Sequence, residues 1–186
     1  MKNLKIIAGV IVVIILAISA GWSYFNKKLS SVGGTDQASE ENTDNESGGF
    51  WATVFGDNSK EYRDASTGFS FKYPKEYSIK EMPAVAEGEA RSLLLLKAGQ
   101  APSVQIAVSF FDEDIVLTID RIKADAPDLI MNSPEVVSVG SLTKGVKFGS
   151  DVGTNIWFVA KGSLFQLTAF PADAGVLDKI VSSFKM

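Results

Sequence analysis

Asn155-Ile156-Trp157-Phe158-Val159-Ala160-Lys161-Gly162-Ser163-Leu164-Phe165-Gln166-Leu167-Thr168-Ala169-Phe170 is a pair of apolar runs, rich in β-branched and aromatic residues, on either side of one glycine. Such residues favour a pleated backbone, and a short break containing Gly between two such runs reads as a hairpin. With Gly162 as the first central residue, Gly162-Ser163 suits a type II′ turn, which needs a positive φ only there. The expectation is an antiparallel hairpin formed by 155–161 and 164–170.

The same period of two recurs upstream. Phe69, Phe71 and Tyr73 alternate with Ser70 and Lys72 before Pro74 ends the run, and further strands read at 77–81, 92–97, 103–111, 135–139 and 146–150. Within 103–111, Val104, Ile106, Val108 and Phe110 share one face. Two helices interrupt the pattern. Thr118 serves as an N-cap with Asp120 in the first turn, and Ile119, Ile122 and Ala126 fall on one side before Pro127. Asp173 caps a second helix, on which Leu177, Ile180, Val181 and Phe184 form one apolar stripe that must lie on the sheet. Strands in runs with segregated helices indicate an α+β domain over 62–186.

At the other end of the chain, a charge-free run opens at Ile6 and closes at Phe25, with Lys2 and Lys5 before it and Lys27 and Lys28 after it. At about 1.5 Å per helical residue its length matches the roughly 30 Å of a bilayer's hydrocarbon core. Trp22, Tyr24 and Phe25 cluster where amphipathic rings favour the headgroup layer. Positions 1–28 are therefore read as a single transmembrane anchor. A cleavable signal peptide is the competing reading, because Ala17-Ile18-Ser19 is a loose small-x-small site. A short head before the span and a large domain after it favour a cytoplasmic amino terminus and an extracytoplasmic domain.

Between anchor and domain, positions 29–61 form an acidic linker. Asp36, Glu40, Glu41, Asp44 and Glu46 occur there among Ser, Gly, Thr and Asn, a composition that favours a solvated, self-repelling spacer. Phe50, Trp51, Val54 and Phe55 break that polarity. They either cover an edge of the domain or dock a protein partner at the membrane surface.

The chain has no cysteine and no histidine. That excludes disulfides, thiolate ligands, ordinary zinc sites and His-dependent nucleophiles. No motif implies a cofactor. No basic stripe is present, so nucleic acid is not an expected partner. Ser141-Leu142-Thr143-Lys144 fits S-x-x-K, but that motif belongs at a helix start and here it joins two strands. Gly140 to Gly145 has phosphate-loop spacing without the required Lys-Ser/Thr or a following helix. Asp112, Glu113 and Asp114 are the densest carboxylates of the domain and the one cation candidate, against the plainer reading of a solvated turn.

Gly68-Phe69-Ser70-Phe71-Lys72-Tyr73-Pro74 resembles the opening strand of PsbP-like domains. Phe110-Phe111-Asp112-Glu113, Leu117-Thr118, Arg121-Ile122 and Pro127-Asp128-Leu129 are similar to small membrane-anchored bacterial proteins that carry such a domain, as are Ile156-Trp157-Phe158-Val159 and Leu164-Phe165-Gln166-Leu167-Thr168. The resemblance covers about 62–186. It implies a central antiparallel sheet sandwiched between helices and a non-enzymatic role, since photosynthetic relatives are extrinsic subunits that help retain ions at a larger assembly. The expected function is a membrane-tethered binding or assembly module. The alternatives are a domain that retains a divalent cation and a Ser/Lys hydrolase.

Overall fold

The computed structural model describes residues 58–84 and 89–186, all inside the compact unit Gly49–Met186. The span opening at Ile6, the spacer up to position 57, and Phe50, Trp51, Val54 and Phe55 lie outside the described residues. Among the described residues no helix is long and apolar enough to cross a membrane.

The first strands, β1 (Ser59–Arg63) and β2 (Ser70–Pro74), form a two-stranded antiparallel ribbon. β1 takes in residues 59–61, which their polar composition groups with the spacer. Seven more strands make one antiparallel sheet: β3 (Tyr77–Met82), β4 (Arg91–Lys97), β5 (Pro102–Phe110), β6 (Asn132–Val139), β7 (Thr143–Gly149), β8 (Thr154–Ala160) and β9 (Ser163–Ala169). Their spatial order is β3-β4-β5-β9-β8-β7-β6. Helix α1 (Ile119–Asp125) lies between β5 and β6, and α2 (Ala174–Ser182) follows β9. The α+β class is as the periodicity indicates, and the large antiparallel sheet is as the resemblance implies.

One face of the sheet is an aromatic core. Phe158 and Phe165 stack at 4.9 Å, and Phe184, just beyond α2, meets both edge-on at 5.2 and 5.3 Å. Phe69 from the ribbon approach adds a stacked contact to Phe184 at 5.4 Å and an edge contact to Phe165 at 5.2 Å. Leu177 and Ile180 of α2 are fully buried in the same cluster. The chain end is tied in as well, because Ser70 and Lys185 exchange two backbone hydrogen bonds of 2.9 Å. The ribbon and α2 thus form one layer over this face.

The other face is covered differently. Every neighbouring pair in the sheet is antiparallel, so β5 and β6, four steps apart in the order, run the same way. The connection must therefore return along the length of the sheet over a face. With the α2 side filled, it crosses the opposite one, where Ala107, Val146, Phe148 and Trp157 are buried. Phe111, Leu117, Ile122 and Ala126 of the crossover are buried too.

Two local expectations are corrected. The hairpin pairs Ala160 with Ser163, so its loop is Lys161-Gly162 with φ of 46° and 71°, a type I′ turn in place of type II′ on Gly162-Ser163. This register sets Phe158 directly opposite Phe165. The expected loop would set Leu167 there and lose the ring stack, which offsets the strain of a positive φ at Lys161. The second correction concerns Phe110, which is 76% exposed although Val104, Ile106 and Val108 on the same face are buried. Phe110 pairs with Ser163 at the very end of β9, past the covering layer. Phe111 turns inward instead and donates its N–H to the Gly162 carbonyl at 2.9 Å. Alternation names the face of a strand and not where its cover stops.

Candidate functional site

Among the described residues, a connected polar constellation joins the ribbon to the edge of the sheet, and no motif announces it. Asp64 follows β1 and is 4% exposed. Its Oδ1 accepts from the Ser66 and Thr67 backbone N–H groups at 3.1 and 2.7 Å and from their hydroxyls at 2.8 and 2.6 Å. Gly68, at φ +77°, lets the chain turn back so that its N–H reaches the Asp64 carbonyl at 2.9 Å. The other carboxylate oxygen accepts from Arg91 Nη1 of β4. The Arg91 guanidinium also lies over the Phe69 ring, 5.5 Å from its centroid. Beside them the Tyr62 hydroxyl donates to Glu81 Oε1 at 3.0 Å and sits 3.4 Å from Asp64 Oδ2.

The electrostatics follow from this arrangement. Burial pushes the Asp64 carboxyl up, but the hydrogen bonds from Arg91, Thr67 and Ser66 outweigh it and hold the group well below the usual carboxylate range. Burial, and then the Glu81 hydrogen bond, push the Tyr62 phenol above its ordinary value. Arg91 is raised by its bond to Asp64. A phenol held protonated cannot act as a base, and the Arg91 charge is already matched. The arrangement is a clamp between the ribbon and β3–β4.

A carboxylate whose value is depressed on folding adds stability that is fully present above its unfolded value and is lost as pH falls through the folded one. Asp64→Asn is therefore expected to destabilise the domain by about 1–3 kcal/mol near neutrality. The deficit should shrink as both proteins are acidified below about pH 5, where the unfolded carboxyl begins to protonate. Denaturant midpoints of the two proteins across pH test this, and a deficit independent of pH would overturn it.

Each candidate read from the sequence has a definite place. Asp112, Glu113 and Asp114 lie in the turn before α1, with Asp112 and Asp114 exposed. Glu113 is held by a two-pronged bond from Arg121, at 2.7 and 2.9 Å, and Arg121 Nε also donates to Asp125 at 2.6 Å. The hydrogen bond from Arg121 draws the Glu113 carboxyl down. Among the described residues no group of three or more Asp or Glu side chains is arranged to hold a metal ion. Ser141 lies in the β6–β7 turn and Lys144 on β7, both exposed, so the S-x-x-K spacing falls on a hairpin. Thr118 caps α1 as expected, accepting from the Arg121 N–H at 3.1 Å. Asp173 occupies the N-cap position of α2 but makes no side-chain cap. Its carboxylate instead accepts from the Tyr77 hydroxyl at 2.8 Å and pairs with Lys97 at 3.5 Å.

No protein-family model and no curated protein matches the chain. Among solved structures, the solution structure of cyanobacterial PsbP from Synechocystis sp. PCC 6803 is similar over 77% of this chain and 98% of that one, with a TM-score of 0.47 and 11% sequence identity.

Proposed function

We propose that the chain is a non-enzymatic binding or assembly module, tethered by one span with its amino terminus in the cytoplasm and its domain outside. The observation that carries this reading is the order of parts: a charge-free run from Ile6 to Phe25, an acidic spacer, and one compact α+β unit. The absence of His and Cys from the sequence supports it, since those residues supply most proton transfer near neutral pH. The residues that resemble PsbP-like domains favour the same reading, with a protein partner at the membrane surface and the subfamily of small membrane-anchored bacterial proteins as its setting. The span sets location, the spacer sets reach, and Phe50, Trp51, Val54 and Phe55 are the proposed docking segment.

The full-length chain is expected to stay with membranes through alkaline washing, and its domain to be digested by protease added outside the cell. Release of the uncut chain, or protection of the domain, would sink the topology. Changing Phe50, Trp51 and Phe55 to Ala together should cut recovery of a co-purified partner at least tenfold, which corresponds to about 1.4 kcal/mol. Unchanged recovery of every partner would retire the docking role and leave the tether standing.

A further inference from the structure

We propose that the side-chain amide of Gln166, on the sheet face opposite α2, binds an internal water molecule beneath the β5–β6 crossover. Gln166 is 2% exposed, and neither its Oε1 nor its Nε2 has a hydrogen-bond partner among the described residues. A buried amide without partners is strongly unfavourable, and native interiors supply them.

The register shows where a partner fits. Gln166 on β9 lies opposite Ala107 on β5 and Trp157 on β8. Ala107 carries a single side-chain carbon, so the long amide meets nothing of its own reach on that side. The diagonal neighbours on β5 are Gln105 and Ser109, both buried and polar. Gln105 already donates to Ser92 Oγ at 3.2 Å, and Thr168, two residues further along β9 on the same face, donates to Asn155 Oδ1 at 2.9 Å. Polar side chains on both sides of Gln166 therefore have partners while it has none.

The chemistry of this seam selects the ligand. The strand residues around the amide, Gln105, Ala107, Ser109, Trp157 and Thr168, are uncharged and favour a neutral ligand. The ligand must accept from Nε2 and donate to Oε1 beside a residue with a single side-chain carbon. Water does both and needs two to four polar partners of the kind Gln166, Gln105 and Ser109 provide.

The full-length chain, labelled with ¹⁵N and held in lipid nanodiscs, is expected to show transfer of magnetisation between the Gln166 side-chain amide protons and a long-lived water. Ala107→Val, which adds two methyl groups directly opposite the amide, should abolish that transfer. Gln166→Leu should lower Tm by several degrees, because an apolar side chain would leave the water's remaining partners unpaired. The proposal is overturned if the wild-type amide shows no contact with water, or if Gln166→Leu keeps or raises Tm. Should the Leu variant not fold, the wild-type measurement decides.

Discussion

Phe184→Ala is expected to destabilise the domain by about 3–5 kcal/mol, the range for removing a fully buried aromatic ring. Phe184 is 0% exposed and follows α2 at the point where the ribbon, the helix end and the sheet meet. Its ring contacts Phe69 and Phe71 from the ribbon, at 5.4 and 5.8 Å, and Phe158 and Phe165 from the sheet, at 5.2 and 5.3 Å. No single neighbour can move into the space, because Phe71, Phe158 and Phe165 are fixed by strand register and Phe69 immediately precedes β2. Relaxation will therefore be small and the cavity penalty large. Denaturant unfolding should show a lower midpoint at an unchanged slope. The matched control is Phe110→Ala, expected to change stability by no more than about 0.5 kcal/mol because that ring faces solvent. Similar losses for the two variants would show that the aromatic face is not the core.

Gly140→Ala is expected to lose about 3 kcal/mol or more, through the backbone and not through lost contacts. Gly140, at φ +50°, starts the β6–β7 turn, and a Cβ there would stand 2.1 Å from the Phe184 carbonyl oxygen. Its N–H donates to the Val181 carbonyl at 2.9 Å, so the turn is pinned to the end of α2 and cannot back away without breaking that bond. Gly99 separates the two causes. It also has a positive φ, of +71°, but open space where its Cβ would be. Gly99→Ala should thus lose only the conformational part, about 1 kcal/mol. Equal losses at the two positions would mean that the close approach to Phe184 is not real.

The elements that were legible are those whose signal is local. Alternation located the strands around Phe69, Val104 and Phe165, and the stripe of Leu177, Ile180, Val181 and Phe184 located α2, all four being buried. Thr118 as a cap was equally legible, because its partner is three residues away. The clamp was not. Asp64 and Arg91 are 27 residues apart, and a lone Asp before Ser-Thr-Gly resembles any turn. Asp173 shows the same limit: it reads as a cap, yet the arrival of Tyr77 and Lys97 turns its carboxylate elsewhere. Gln166 is a polar position between Phe165 and Leu167, and only cover from outside its own strand makes it an interior residue.

Residue type and spacing along the chain determined the α+β class, the faces of most strands, the helix stripe and the exclusion of His- and Cys-based chemistry, because each rests on neighbours a few residues apart. Tertiary structure decided which turn closes the β8–β9 hairpin, which phenylalanine leaves the core, and which carboxylates find cations. Those outcomes depend on what another segment brings to the same place, and pairing across tens of residues leaves no periodic trace in the chain that makes it.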